Sequence, residues 1–397
     1  MTTTLQKRIQ SIDILRGIVM VIMALDHVRD YFHIHAWTDD PMNLETTTPA
    51  LYFTRYITHF CAPTFVFLSG VSIYLQSLRK TKTELSVFIM KRGLWLIFVE
   101  LVIVSFAWSF NPAFARFPLG VIWAIGISMF ILGLLIRLPF KVILALGLLI
   151  VFGHNLLDFP EAATGFDGGF WMNLAHSSKW AKYEIFEGHI LIIAYPFLPW
   201  LGLMIMGYCI GQLFSPQFDT ARRQKLLTQM GIGLLVLFVI LRGINIYGDP
   251  EVWSQQRNGL YTFFSFMKIY KYPPSLLYMC VTIGCAFLIL PILEKLDNTF
   301  TKIMVVFGRT AFFYYILHLF LIHSLATISF YIHGHTLAEI AESESVFKWK
   351  FVVPGEGFGL LGVYAVWIFV IVLLYPLCKW YDNYKTNHKE KWWLSYL

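Results

Sequence analysis

Residues 12–32, IDILRGIVMVIMALDHVRDYF, have the length and apolar content of one membrane-crossing helix, yet they carry Asp13, Arg16, Asp26, His27, Arg29 and Asp30. A charged side chain near the bilayer centre costs roughly 3 kcal/mol on insertion scales. Such groups therefore face a protein interior or a water-filled cavity. Arg16 and His27 stand eleven positions apart, which on an α-helix is roughly three whole turns and about 16 Å of rise. Both side chains leave the helix on one face. A guanidinium near one membrane surface is thus aligned with an imidazole near the other.

The rest of the chain supplies the surroundings that this helix needs. Of 397 residues, 57% are hydrophobic and 14% charged, the composition of an all-α polytopic membrane protein. Windows of about 20 apolar residues predict ten transmembrane helices, at about 12–32, 53–76, 93–110, 117–136, 140–157, 189–213, 228–247, 273–293, 303–331 and 358–380. Leu138 and Pro139 alone separate the fourth and fifth, which implies a tight hairpin. The whole of 1–397 reads as a single membrane domain, and its charged first span is unlike the core of a cleavable leader. With both termini cytoplasmic, eighteen lysines and arginines fall on inside segments, Lys7, Arg8, Arg92, Lys302 and Lys385 among them, against eight outside, including Lys179, Lys271, Lys348 and Lys350. That is a positive-inside bias. The net charge of +7 then belongs to topology and membrane-lipid contact. No basic–aromatic array points to nucleic acid. The five cysteines all lie in predicted spans with no metal-like spacing and read as packing residues.

Three constellations could carry chemistry. The second span opens with Arg55 and His59, four apart and so on one face, followed by Pro63. Proline at that position denies the His59 carbonyl its helical partner and should open the helix beside the imidazole. His27, His59 and Arg55 are expected to converge near the outer surface. The ninth span places Arg309 near the cytoplasmic entrance and His318 near mid-membrane. Arg309 suits a phosphate as a planar bidentate donor or a lipid head group, and His318 suits a hydrogen bond between helices. Glu100 and Arg242, buried in apolar runs, are candidates to pair with each other or with the first span. His33-x-His35 and His333-x-His335 could join a zinc site only if their loops met, so no metal is expected.

Arg8-Ile9-Gln10-Ser11-Ile12-Asp13-Ile14-Leu15-Arg16-Gly17 with Met23 resembles the opening helix of bacterial relatives of heparan-α-glucosaminide N-acetyltransferase, in a wider superfamily of transmembrane acyltransferases. His59-Phe60-Cys61-Ala62-Pro63 through Ser69-Gly70 resembles that family's second-helix block. Trp123 to Ile127, Tyr195 to Gly202 with Gly207 and Gly211, and Tyr272 to Leu276 are similar to later blocks in the same order. The Arg16–His27 spacing also resembles related O-acyltransferases of envelope glycans, in which the histidine is implicated in acyl transfer. The family's lysosomal branch has Asn at the His27 position and Asp at the His59 position. Its catalytic histidine lies in the first outside loop before Ala and Trp, which His35-Ala36-Trp37 matches approximately.

The resemblance implies an acyl-CoA-dependent N- or O-acyltransferase of the bacterial inner membrane. Acetyl-CoA or another acyl-CoA would be co-substrate, bound near Arg16 and Arg309, and a sugar or glycan on the outer side the acceptor. His27, His59 and His35 stay open as the catalytic histidine. Asp13 and Asp30 would hold Arg16 and His27 in place, and Arg55 and His318 would orient the imidazole or stabilise the oxyanion. A homodimer is left open. The rival from another class is a proton-coupled transporter or flippase, since intramembrane His, Asp and Arg chains also relay protons.

Overall fold

The computed structural model describes residues 9–163, 166–177, 180–342 and 350–395. Lys7, Arg8, Lys179 and Lys348, used above to assign sidedness, lie outside them. The charged stretch is one unbroken helix, α1 (Gln10–Phe32). Pro49–Ile57 forms α2 and Cys61–Ser77 forms α3; Lys82–Val99 is α4. Val121–Leu135 is α5, Phe140–Gly153 is α6, Phe197–Ile210 is α7 and Thr220–Ile244 is α8. Leu276–Leu293 is α9, Thr299–Arg309 is α10, Ala311–Ile332 is α11 and Leu360–Asn387 is α12. Among the described residues, seven helical stretches are long and apolar enough to cross a membrane: Pro49–Ser77, Phe140–Glu161, Phe197–Phe214, Thr220–Ile244, Leu276–Leu293, Ala311–Ile332 and Leu360–Asn387. The protein is an all-α polytopic membrane protein.

Helix α1 is the hub of the bundle. Helices α3, α9, α10, α11 and α12 all pack against it, which is why it can carry charge. Asp13 is 2% exposed and Arg29 6%, so protein groups surround them in place of lipid. Against α10 the backbones nearly touch. A Cβ added at Gly17 would run into the Met304 carbonyl, and one at Gly308 into the Asp13 carbonyl. Only glycine permits that approach.

Several boundaries differ from the hydropathy reading; the third span, expected at 93–110, already starts at Lys82, and the seventh, expected at 228–247, at Thr220. The spans expected at 117–136 and 189–213 begin as strands, β1 (Arg116–Leu119) and β3 (His189–Ile193), and both helices start later. With β2 (Lys182–Phe186) they form a sheet ordered β1-β3-β2, the first pair parallel with Arg116 opposite Ile190. A short run such as His-Ile-Leu-Ile-Ile fits a strand and a buried helix equally by hydropathy. Pro196 at the N-cap and Pro199 in the first turn set the start of α7, where missing amides cost nothing. The window at 303–331 is two helices broken at Thr310.

Glu100 and Arg242 do not pair. Glu100 opens a π-helical turn, Glu100–Val104, and its carboxylate accepts the Trp123 amide at 3.0 Å in the first turn of α5. Arg242 donates to the carbonyls of Phe266, Ser265, Glu251 and Lys268. It gathers the loop after α8. Four of the cysteines are buried and Cys285 partly so, all as free thiols.

Candidate functional site

The helix start of α3 is opened as its sequence requires. Thr58–Phe60 forms a 3-10 turn between α2 and α3, placing Thr58, Cys61 and Ala62 on a cavity of about 460 Å³. This cavity follows the inner face of α1. Arg16 lines it at one end and His27 at the other, with Met20 and Met23 between. The helical spacing of these residues is therefore what puts them in one chamber.

At the His27 end, the imidazole Nδ1 lies 2.7 Å from His318 Nε2, and His318 Nδ1 lies 3.0 Å from the Tyr314 carbonyl. A carbonyl only accepts, so His318 carries its proton on Nδ1 and presents a bare Nε2. His27 must then donate from Nδ1, which leaves its own Nε2 unprotonated. That is the tautomer a general base needs. The two rings stack with centroids 4.9 Å apart, and Trp108 meets His27 edge-on at 5.0 Å. Below the imidazole a charge network closes on itself. Arg55 Nη1 reaches both Asp26 oxygens, at 2.7 and 2.9 Å, while Arg29 pairs with Asp26 at 2.8 Å and with Asp30 at 2.7 Å. Asp30 thus holds Arg29. The hydrogen-bond partner of the His27 imidazole is His318.

The remaining histidines go elsewhere. His59 donates from Nδ1 to the Arg55 carbonyl at 3.1 Å and packs against Tyr56 and Tyr278, buried between helices. It is not among the cavity's lining residues. His35 is exposed on the loop after α1, its amide donating to His33 Nδ1 at 3.2 Å. His333 bonds the Ser329 carbonyl, and His335 sits between Glu339 and Glu356 at 2.7 and 2.8 Å. Those hydrogen bonds, that to Glu356 first, raise the pKa of His335 above its ordinary value. Among the described residues, the group spaced to hold a metal ion is neither histidine pair but Asp158, Glu161 and His176. There His176 is hydrogen-bonded to Glu161 at 2.7 Å and to His154 at 3.0 Å.

At the opposite end Arg16 bonds Asp13 at 3.2 Å, Ser72 Oγ at 3.0 Å and the Gly308 carbonyl at 3.4 Å. Arg309 pairs with Asp382 at 3.1 Å and donates to Thr386 at 2.8 Å. Arg92 and Lys385 line the same mouth, giving four cations there. Neither of the last two stood out in the sequence, because a basic residue near a helix end ordinarily reads as a topology signal. The His27 end likewise gains Trp108, Lys271, Tyr272 and Lys350. Lys350 lies over the Trp37 ring at 3.0 Å, and burial pushes its ammonium well below the ordinary lysine range.

These features define a class: a multi-pass helical membrane protein with a cavity that joins a cationic mouth to a histidine pair. The sequence model of the family described as heparan-alpha-glucosaminide N-acetyltransferase, catalytic, matches residues 8–243. That is more than half of the chain, which therefore belongs to this acetyltransferase family. No curated protein matches it. Arg16, His27, Arg55 and His59 fall inside the matched segment; Lys271, Tyr272, Arg309, His318 and Lys385 fall outside it.

Proposed function

We propose that this protein transfers an acyl group, most simply acetyl, from a cytoplasmic acyl-CoA to an amine or hydroxyl of a sugar or glycan across the bacterial inner membrane. The observation that carries this reading is the continuity of one cavity from Arg16 and Arg309 to the His27–His318 pair. Acyl-CoA is a polyanion at one end and a thioester at the other, joined by a long flexible arm. Arg16, Arg92, Arg309 and Lys385 would hold its phosphates, where bidentate guanidinium contacts are favoured. The methionine-lined middle would pass the arm.

His27 Nε2 takes the proton of the acceptor as its nucleophile attacks the thioester carbonyl, while His318 keeps the imidazole in the working tautomer. Collapse of the tetrahedral adduct breaks the C–S bond, and the proton on His27 returns to the departing thiolate. The positive-inside bias supports the donor entering from the cytoplasm. The test is CoA release from acetyl-CoA by the purified protein with a panel of amino sugars and glycans, wild type against His27→Ala. Acceptor-dependent release lost in the variant is expected. Release unchanged in His27→Ala would move the chemistry to His35 or His59. Acceptor-independent behaviour with no CoA binding would favour the transport alternative.

A further inference from the structure

Tyr272 belongs to the segment between Met267 and Leu276, beyond the family-matched residues, and it lines the cavity at the His27 end. Its phenolic oxygen accepts a hydrogen bond from the Tyr195 hydroxyl at 3.5 Å. Lys271, a buried residue whose ammonium lies 5.0 Å from the Tyr272 ring centre, and Arg55 stand beside the same oxygen. Lysine and arginine can only donate. Donors thus occupy the lone-pair side of the phenolic oxygen, and the one hydrogen it owns points away from them; Tyr195, Lys271 and Tyr272 all line the cavity, where that hydrogen can meet a ligand.

We propose that Tyr272 is a catalytic hydrogen-bond donor in this site, its O–H directed at the acyl carbonyl oxygen while His27 Nε2 draws the proton from the acceptor. The inference rests on the acyl-transfer reading above. As the acceptor's nitrogen or oxygen bonds to the acyl carbon, the carbonyl electrons move to oxygen, and the Tyr272 hydrogen bond strengthens onto that oxyanion. When the C–S bond breaks, the electrons return, the hydrogen stays with Tyr272, and thiolate receives the proton held by His27. Lys271 and Arg55 make the phenol a stronger donor by their charge, and Tyr195 fixes the direction of its lone pairs. They are positioning residues.

The electrostatics agree with this geometry. Burial pushes the Tyr272 hydroxyl up, but Lys271 and Arg55 outweigh it and bring the group below the usual tyrosine value. Tyr195, partly buried and next to Tyr272, is driven well above its own by desolvation first and then by Tyr272. The pair thus has a defined donor and a defined acceptor. The groups facing Tyr272 are Lys271 on its own segment, Arg55 from α2, Tyr195 ahead of α7 and Tyr278 from α9.

The experiment uses the full-length purified protein with acetyl-CoA and glucosamine as probes. Because the protonated phenol is the active form, CoA release should fall on the alkaline side as Tyr272 ionises. Tyr272→Phe should lower kcat about 10²-fold, the size of one lost oxyanion donor, leave the KM for acetyl-CoA nearly unchanged, and remove that alkaline fall. Lys271→Met should shift the fall to higher pH. Tyrosinate absorbance, which needs no acceptor, should show one early-ionising phenol in the wild type that is absent from Tyr272→Phe and delayed in Lys271→Met. A wild type without that early phenol, or a Tyr272→Phe variant with the wild-type rate and pH profile, would overturn the assignment. Failure of the wild type to release CoA with any amino sugar or glycan would instead overturn the acyl-transfer reading, and this role of Tyr272 with it.

Discussion

The two ends of the cavity are built on opposite plans. At the cationic mouth, Arg16 bonds Asp13, Ser72 and the Gly308 carbonyl and Arg309 bonds Asp382 and Thr386, and their side chains are 18% and 31% exposed. At the histidine end, Arg29 and Arg55 share Asp26, Arg29 also holds Asp30, and the two guanidiniums are 8% and 13% exposed. Loosely held, partly solvated cations suit a ligand that arrives and leaves. A closed, buried network suits groups whose positions must not change during a reaction. On the acyl-transfer reading proposed above, one end would serve binding and the other chemistry.

That contrast can be broken by substitution. The largest effect belongs to His27→Ala, which should cut acceptor-dependent CoA release by roughly 10²–10⁴-fold, the usual worth of a positioned general base, with acetyl-CoA binding retained. Next comes the network beneath it. Asp26→Ala strands the buried Arg55 guanidinium, leaves Arg29 with Asp30 alone, and should cost about 3–5 kcal/mol of stability. Asp382→Ala at the open mouth should cost less than about 1 kcal/mol. Equal losses in denaturant or thermal melts of the two variants would erase the distinction between the ends. His318→Leu removes the acceptor that sets the His27 tautomer and should lower kcat by about 10²-fold. His318→Gln, able to accept through its amide oxygen, should recover part of that loss and the wild-type pH profile; identical profiles for both variants would reduce His318 to packing. The smallest effect is at the mouth. Arg16→Ala or Arg309→Ala should each raise the KM for acetyl-CoA about tenfold, the equivalent of one charge-assisted hydrogen bond, with kcat little changed.

What the sequence disclosed, and what it withheld, follows the range of each interaction. Arg16 and His27 share a helix, so a 3.6-residue period is enough to place them on one face, and both line the cavity. The opening of the second span before Pro63 is likewise local. Partners across helices are not. Asp26 meets Arg55 and His27 meets His318 over separations of 29 and 291 residues, which no periodicity encodes. His59 shares a face with Arg55 yet turns toward Tyr278, because the 3-10 turn rotates it away from the regular helical direction. The strands β1 and β3 were hidden inside apolar windows, since hydropathy measures burial and is blind to backbone conformation. Tyr272 and Lys271 sit on an irregular segment, where spacing carries no directional information.

The contact between Gly17 and Gly308 has a consequence for selectivity. Each glycine is the neighbour of a mouth arginine, Arg16 on α1 and Arg309 at the end of α10. Where two backbones touch, the gap between the helices cannot be widened or narrowed by changing rotamers. The spacing of the two arginines' backbones is therefore gauged by main chain, like the jaws of a fixed caliper. On the acyl-transfer reading, a ligand with its negative charges at another separation would have to be met by side-chain stretch alone, so the mouth would discriminate among polyanions by length as well as by charge.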